Sequence, residues 1–271
     1  MIPKASYKYC TNLLIRQFVH IIFIMSSLFK NRQIIKLQKV DSTNTHISQI
    51  ARQLSEGSIV WALDQTQGRG QGSNKWNSEA GKNLMFSILF NPTFLSAYQQ
   101  FYMSKVLALA VFDFISLHTD KVSIKWPNDI YAGDRKIGGI LIEHVIEKTY
   151  LKQTIAGIGI NINQNKFPAS LPNPVSLSQL SGISYNIEEM LEDLTDMIDY
   201  RYSILKDKDL STIDKNFNEA LFRYQHLAKY ETEEGAFEGT ITGVESTGEL
   251  VIKDKSGKVR KFLHKEVEFV L

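Results

Sequence analysis

The chain has 271 residues, which is enough for one large domain with a smaller one beside it. Hydrophobic residues make up 43% and charged residues 22%, a composition typical of a globular protein. The formal net charge is only +2, so the composition does not favour nucleic acid or an anionic membrane as the main partner. The single cysteine excludes an internal disulfide framework and a cysteine-based metal cluster, which fits a reducing cytoplasm.

Residues 1–33 differ from the rest of the chain. The stretch 13–25 is apolar, but polar residues interrupt it and it is shorter than the ~20 residues of a membrane-spanning helix. Met25 begins a stretch typical of a natural protein start. We therefore interpret residues 1–33 as an extension that is disordered or follows a mis-assigned start, with a signal peptide as the alternative.

After residue 33 the pattern predicts an α+β domain. Residues 34–40 alternate as a strand, and residues 41–44 are of the types that favour the start of a helix. Further strands are predicted at 58–64, 83–90, 122–126, 129–133, 135–146 and 150–163, and helices at 98–118, 188–205 and 212–224. The turns between the strands of residues 122–163 are short, so the sheet should be mixed but mainly antiparallel.

The composition changes near residue 226. Residues 226–271 contain short strands with turns at 246–248 and 255–257, and they show no helical periodicity. The sequence therefore predicts two domains, at 34–225 and 226–271, the second a small β-barrel.

A glycine-rich loop, GRGQGSNKW at residues 68–76, is the first candidate site. It lacks the Gly-Lys-Ser/Thr ending of a phosphate-binding P-loop. Its glycines permit close approach of a ligand, and Arg69 is suited to pairing with a phosphate or carboxylate. Lys75 and Trp76 supply a charge and a stacking face for a nucleotide. A flexible surface loop is the alternative interpretation.

Three other blocks carry polar residues in unusual places. DSTN at 41–44 is either a helix N-cap or a small polar ligand site at a helix N-terminus. The next blocks are KWPND at 125–129 and DRKIGGIL at 134–141. Gly138 and Gly139 weaken a strand there, which fits close approach of a ligand. The alternative interpretation of Lys136 is an ordinary solvated lysine of a strand. In GIGININ at 157–163, Asn161 is suited to an adenine edge, or is a solvated residue of a bulge.

Together, and in this order, the blocks resemble those of the biotin protein ligase family: DSTN, GRG…W, KWPND, RKIGGIL and GIGIN. The resemblance covers roughly residues 34–271. It implies a catalytic domain like that of class II synthetases, followed by an SH3-like barrel. We find nothing that resembles the winged-helix domain of repressor-type members, so we expect a ligase that does not regulate transcription.

The resemblance implies that biotin and ATP form biotinyl-5′-AMP, with Mg²⁺ bridging the phosphates, and that biotin then passes to a lysine of a biotin carboxyl carrier protein. The biotin carboxylate is ionised at pH 7, whereas the lysine amine must first lose a proton. The implied catalytic residues are Lys136, Arg69 and Asp129, with Asp129 expected to orient or deprotonate the amine. The implied biotin-binding residues are Ser42, Thr43, Gln65, Gly68, Arg69, Lys136, Gly138 and Gly139, and the implied nucleotide-binding residues are Gly70, Lys75, Trp76 and Asn161.

Two loop positions depart from the family pattern. Gln71 and Asn74 stand where arginine is common, which predicts a weaker grip on the adenylate. A lipoate or octanoate ligase and a non-catalytic biotin sensor are the alternative functions. We expect a cytoplasmic protein without nucleic acid or membrane partners. The sequence identifies no metal ligands, and it leaves a monomer and an edge-to-edge homodimer open.

Overall fold

The computed structural model describes Phe29 and residues 31–270. Seventeen strands and α-helices follow one another along these residues. They are β1 (Ile34–Leu37), α1 (Thr43–Ile50), β2 (Ile59–Ala62), β3 (Leu84–Phe90), α2 (Phe101–Ser116), β4 (Val122–Lys125), β5 (Asp129–Ala132), β6 (Arg135–Glu147), β7 (Tyr150–Ile160), α3 (Leu177–Ser181), α4 (Ile187–Lys206), α5 (Leu210–Ala220), β8 (Leu227–Thr232), β9 (Gly235–Val244), β10 (Leu250–Asp254), β11 (Val259–Phe262) and β12 (Glu268–Phe269). Short 3₁₀ turns lie at Ala51–Gln53 and Ala97–Gln99.

Strands β1 to β7 form one main sheet in the order β1-β2-β3-β7-β6-β5-β4. Only the β1–β2 pair is parallel, so the prediction of a mixed and mainly antiparallel sheet is confirmed. Helix α1 packs on one face, where Ile47 contacts Val60, Leu89 and Ile155 in a small core. Helices α2, α4 and α5 belong to the larger core, which explains why β3 is buried along its whole length.

Strands β8 to β12 form a second, C-terminal sheet in the order β11-β10-β9-β8-β12, and every pair in it is antiparallel. Its outer strands β11 and β12 lie at opposite edges and are not paired with each other. The predicted β-barrel is therefore not confirmed: the alternation correctly indicates strands, but the sheet of the described residues stays open.

Buried polar contacts attach the C-terminal sheet to the part of the chain that contains the main sheet. The Lys105 side chain on α2 is fully buried, and its Nζ donates to Asp214 Oδ1 at 2.6 Å and to the Val244 carbonyl at 3.1 Å. Trp126 Nε1 donates to the Gly248 carbonyl at 2.9 Å. Because a buried ammonium is tolerated only with such partners, these contacts fix where the C-terminal sheet sits.

Some predicted boundaries were wrong. The helix predicted at 212–224 ends at Ala220, because the Phe222 amide donates to the Ile124 carbonyl and the chain joins the edge of β4. The connection predicted at 167–174 is followed by α3, which the sequence analysis missed. Of the extension at 1–33, residues 1–28 and residue 30 lie outside the described part. Phe29, however, is buried against Phe90 and Tyr202, so the predicted separation from the fold does not hold there.

Candidate functional site

The four sequence blocks converge on one cavity of about 370 Å³, called here the main cavity. Its walls come from the glycine loop, the start of α1, strands β4 to β7, and the segment that leads into β12. The polar residues of its lining are Ser42, Thr43, Asn44, Gln65, Arg69, Gln71, Asn74, Lys75, Lys125, Asn128, Asp129, Lys136, His264, Lys265 and Glu268.

One end of the main cavity is neutral and rich in hydrogen-bonding groups. Ser42 is the N-cap residue of α1, but its hydroxyl makes no capping hydrogen bond. Gln65 Oε1 accepts from the Thr43 amide at 2.8 Å and from the Thr43 hydroxyl at 3.2 Å. The Ser87 hydroxyl lies 2.7 Å from Thr43 Oγ1 and 2.5 Å from Asn44 Oδ1. These groups both donate and accept, so this end suits a small uncharged polar ring.

Arg69 is held by a carboxylate that the sequence analysis did not single out. Its two terminal nitrogens donate to the two oxygens of Glu143, each at 3.0 Å. Asn44 Nδ2 donates to Glu143 Oε2 at 2.7 Å, so Glu143 connects the neutral end to Arg69. An incoming anion would therefore compete with Glu143 for a bidentate guanidinium.

Lys136 and Asp129 form the second ion pair of the main cavity, with 2.6 Å between Nζ and Oδ1. A bulge in the β5–β6 ladder creates this pair, because Tyr131 faces Lys136 while Ile130 faces Gly138. The extra residue turns Lys136 and Gly139 to the same side of the sheet. A Cβ on Gly139 would lie 3.3 Å from Asp129 Oδ1 and 3.5 Å from Lys136 Nζ, so the missing side chain leaves room for the pair.

The alternating glycines of β7 make room for protein side chains. A Cβ on Gly157 would collide with the Asn44 side chain, and a Cβ on Gly159 would lie 2.6 Å from Trp76 Cε2. Glycines are unusual inside a strand, and the structure supplies the reason for these two. They let Asn44 and Trp76 lie directly on the sheet, where both line the main cavity.

The remainder of the main cavity is cationic. Its described lining contains Arg69, Lys75, Lys125, Lys136 and Lys265, against two carboxylates, Asp129 and Glu268. Burial lowers the pKa of Lys125, an effect that Asp129 opposes. Burial also lowers the pKa of His264, helped by the neighbouring Lys265. Such an excess of positive charge favours an anionic ligand with several phosphate groups.

A smaller cavity of about 210 Å³, called here the side cavity, lies against the main cavity. The two share the wall residues Gln71, Pro127, Asn128, Ile140 and Leu141. The rest of its described lining consists of Gln100, Phe101, Ser104, Ile142, His144 and Thr247. The His144 Nδ1 atom lies 2.9 Å from Thr154 Oγ1, and burial lowers the pKa of the ring to about 4.

Most of the residues predicted for the site line the main cavity. They are Ser42, Thr43, Gln65, Arg69, Gly70, Lys75, Trp76, Asp129, Lys136 and Gly139. Gly68, Gly138 and Asn161 are not among the lining residues. Gly68 closes the base of the loop through its carbonyl, which accepts from the Trp76 amide at 3.0 Å. The Asn161 side chain donates to the Val175 carbonyl at 3.1 Å and is buried beside the main cavity.

The sequence analysis missed Ser87, Glu143 and Lys265. Ser87 left a signal, since it is a polar residue inside the apolar run of β3. Glu143 resembles an ordinary strand residue. Lys265 lies about 190 positions after the loop in the sequence, yet its Nζ would be 3.4 Å from a Cβ added to Gly72. Neither contact could be read from local pattern.

The residues described by the structure contain no group of three or more His, Cys, Asp or Glu side chains arranged to hold a metal ion. In the same residues we find no helix with the length and apolar character needed to cross a membrane.

The Biotin/lipoate A/B protein ligase family matches residues 35–161, which include the first three blocks and residues 157–161 of the fourth. The chain is 29% identical over 220 residues to the bifunctional ligase/repressor BirA of Bacillus subtilis, covering 79% of this chain and 66% of that protein. This chain thus spans just under two thirds of the length of the Bacillus subtilis protein. It is 26% identical over 231 residues to the biotin–[acetyl-CoA-carboxylase] ligase of Paracoccus denitrificans, covering 82% of this chain and 95% of the other.

A solved structure supports the same likeness. The biotin protein ligase from Aquifex aeolicus, in complex with biotin and ATP, superposes with a TM-score of 0.74 at 27% identity. The match covers 88% of this chain and 99% of that one.

Proposed function

We propose that the chain, whose residues 35–161 match the Biotin/lipoate A/B protein ligase family, is a biotin protein ligase. It would activate biotin with ATP to biotinyl-5′-AMP and transfer the biotinyl group to a lysine of a biotin carboxyl carrier domain. The observation that carries this proposal is the division of the main cavity into a neutral hydrogen-bonding end and a cationic end.

The neutral end suits the cyclic urea of biotin. A urea carries two N–H donors and one carbonyl acceptor, and the hydroxyls of Ser42 and Thr43 and the amides of Asn44 and Gln65 offer both kinds of group. This end argues against lipoate or octanoate, whose dithiolane ring and alkyl chain offer no comparable hydrogen bonds. The Ser42 hydroxyl, which makes no capping hydrogen bond, would gain no partner from such an apolar ligand, which is costly for a buried group.

In the first step the biotin carboxylate attacks the α-phosphorus of ATP, a P–O bond to the β-phosphate breaks, and pyrophosphate leaves. No general base is needed, because the carboxylate is already ionised. What the protein must supply is positioning and positive charge where negative charge develops. Arg69 and Lys136 are suited to this, and their present carboxylate partners Glu143 and Asp129 hold them near the centre of the cavity until the substrates compete for them.

We propose that Lys75 and Trp76 cover the nucleotide, while Lys125 and Lys265 add charge for the phosphates. Mg²⁺ is usually held by one or two carboxylates together with substrate phosphates, and Asp129 and Glu268 are the carboxylates available in the described lining. The pairing of Asp129 with Lys136 supports a role in orienting that lysine. The role of Asp129 as a base toward the acceptor amine stays a prediction.

The test is biotin-dependent release of pyrophosphate from ATP·Mg²⁺, measured with and without a biotin carboxyl carrier domain. We expect a burst without the carrier and turnover with it. Lys136→Met should lower the burst rate by at least about 100-fold, because it removes charge at the reacting phosphate. Release with lipoate but not with biotin would assign the chain to the other branch of its family. Binding of biotin without any release would identify a sensor.

A further inference from the structure

The side cavity has a different chemistry from the main cavity. None of the described residues that line it is Lys, Arg, Asp or Glu. Its only titratable member is His144, which is neutral at pH 7 because burial has lowered its pKa to about 4. Its walls are otherwise apolar side chains with a few amides and hydroxyls, and they come from the start of α2, the middle of β6 and the turn before β10.

This contrast matters for the acceptor lysine. An ammonium that approached through the main cavity would meet five cationic side chains against only two carboxylates, and this excess of like charge repels it. A lysine that enters an uncharged and largely apolar passage meets no such repulsion. Loss of water around it also disfavours the charged form, which lowers the pKa of the amine. The passage would therefore deliver the neutral amine, which is the nucleophilic form.

Gln71 lies in the wall that the two cavities share. Its Oε1 atom is buried and has no hydrogen-bond partner among the described residues. A buried acceptor without a partner is costly, unless a ligand supplies a donor. An amine moving from the side cavity toward the main cavity carries such N–H donors.

We propose that the side cavity is the passage through which the acceptor lysine of the carrier domain reaches the acyl-adenylate. This inference rests on the proposed function and adds where the second substrate enters. In the transfer, the neutral amine nitrogen forms the amide bond with the acyl carbon, and the C–O bond of the mixed anhydride breaks. AMP leaves with the electron pair, and the surplus proton of the nitrogen goes to the departing phosphate.

The test introduces charge into the passage and follows the two half-reactions separately. Ser104 lines the side cavity from α2, whereas Ser116 is an exposed residue at the other end of the same helix. Ser104→Lys should slow single-turnover transfer from the preformed enzyme-bound adenylate to a biotin carboxyl carrier domain by about 10- to 100-fold. Biotin-dependent pyrophosphate release should stay within about twofold, and the matched control Ser116→Lys should change neither rate.

The pH dependence of the transfer rate distinguishes an effect of charge on the amine from a structural defect of the variant. Ser104→Glu should raise the apparent pKa of the transfer step by about one unit, because a nearby anion stabilises the ammonium form. Thr247→Lys, in an exposed turn at the other side of the passage, repeats the test if Ser104→Lys does not fold. Transfer at the wild-type rate and pH dependence in these variants would overturn the inference. Absence of biotin-dependent pyrophosphate release from the wild-type protein would remove the proposed function, and this inference with it.

Discussion

The substitution Gly159→Ala tests whether the main cavity depends on the bare surface of β7. The added Cβ would lie 2.6 Å from Trp76 Cε2 and 2.7 Å from Cζ2. Non-bonded carbons prefer about 3.5–4.0 Å, so the indole must move by about 1 Å. Gly159 does not have a positive φ and pairs with Met85 and Gly139 through its backbone, so alanine fits the strand itself. The substitution should therefore displace the Trp76 ring and leave the strand itself unchanged.

We expect Gly159→Ala to raise the KM for ATP in biotin-dependent pyrophosphate release by about 10- to 100-fold, or about 1.4–2.8 kcal/mol. The melting temperature should not fall, since removing a glycine from a strand reduces the entropy of the unfolded chain. The same substitution in a Trp76→Ala background should change the KM for ATP by less than about twofold, because the colliding ring is gone. An equal loss in both backgrounds would refute the steric argument.

The neighbouring glycine provides a matched control. Gly157→Ala adds the same methyl group two residues earlier on the same face, where it meets Asn44 rather than Trp76. Asn44 belongs to the neutral end of the main cavity, so this variant should raise the KM for biotin and leave that for ATP nearly unchanged. If both variants affected the two substrates alike, a general disturbance of β7 would be the better explanation.

Two further predictions concern the loop and the side cavity. Arg69→Ala should increase release of free biotinyl-adenylate several-fold, measured by trapping with hydroxylamine; an unchanged release rate would argue against its role at the carboxylate. Burial lowers the pKa of His144 in the folded chain to about 4, below the ordinary histidine value of 6.5. As the pH drops from about 6.5 toward 4, the unfolded chain therefore takes up this proton first and the free energy of unfolding falls. At pH 4.5 this costs about 2–3 kcal/mol. His144→Gln should remove that loss in urea titrations at pH 7 and 4.5, and an identical pH dependence in both proteins would count against the burial argument.

The elements with strong local signals could be predicted from the sequence. Helices α2 and α4 and the buried strand β3 have apolar patterns that any packing must satisfy. The convergence of the blocks could not be predicted from local pattern, because DSTN follows β1 and KWPND follows β4, which lie at opposite edges of the main sheet. Closure of the C-terminal sheet could not, since alternation specifies which residues form strands and not whether the first and last strands meet.

Contacts between distant residues were beyond the reach of local pattern. The glycines of β7 are unusual inside a strand, but only the fold identifies Asn44 and Trp76 as the side chains that approach them. Likewise, the bulge that brings Lys136 beside Asp129 depends on how β5 and β6 pair. In each case the residue type was informative, while its partner lay more than five residues away and was fixed by tertiary packing.

The positive charge of the main cavity is distributed differently from what the loop sequence suggested. Gln71 and Asn74 leave the loop with fewer cations than the family pattern, which predicted a weaker grip on the adenylate. Lys265 approaches the loop from the C-terminal segment, close to the bare backbone of Gly72, and Lys125 reaches the main cavity from β4. Lys125 lies in β4 and Lys265 lies in the connection between β11 and β12, so neither charge belongs to the loop itself. The positive charge of the main cavity therefore depends on how the two sheets are joined as well as on the loop.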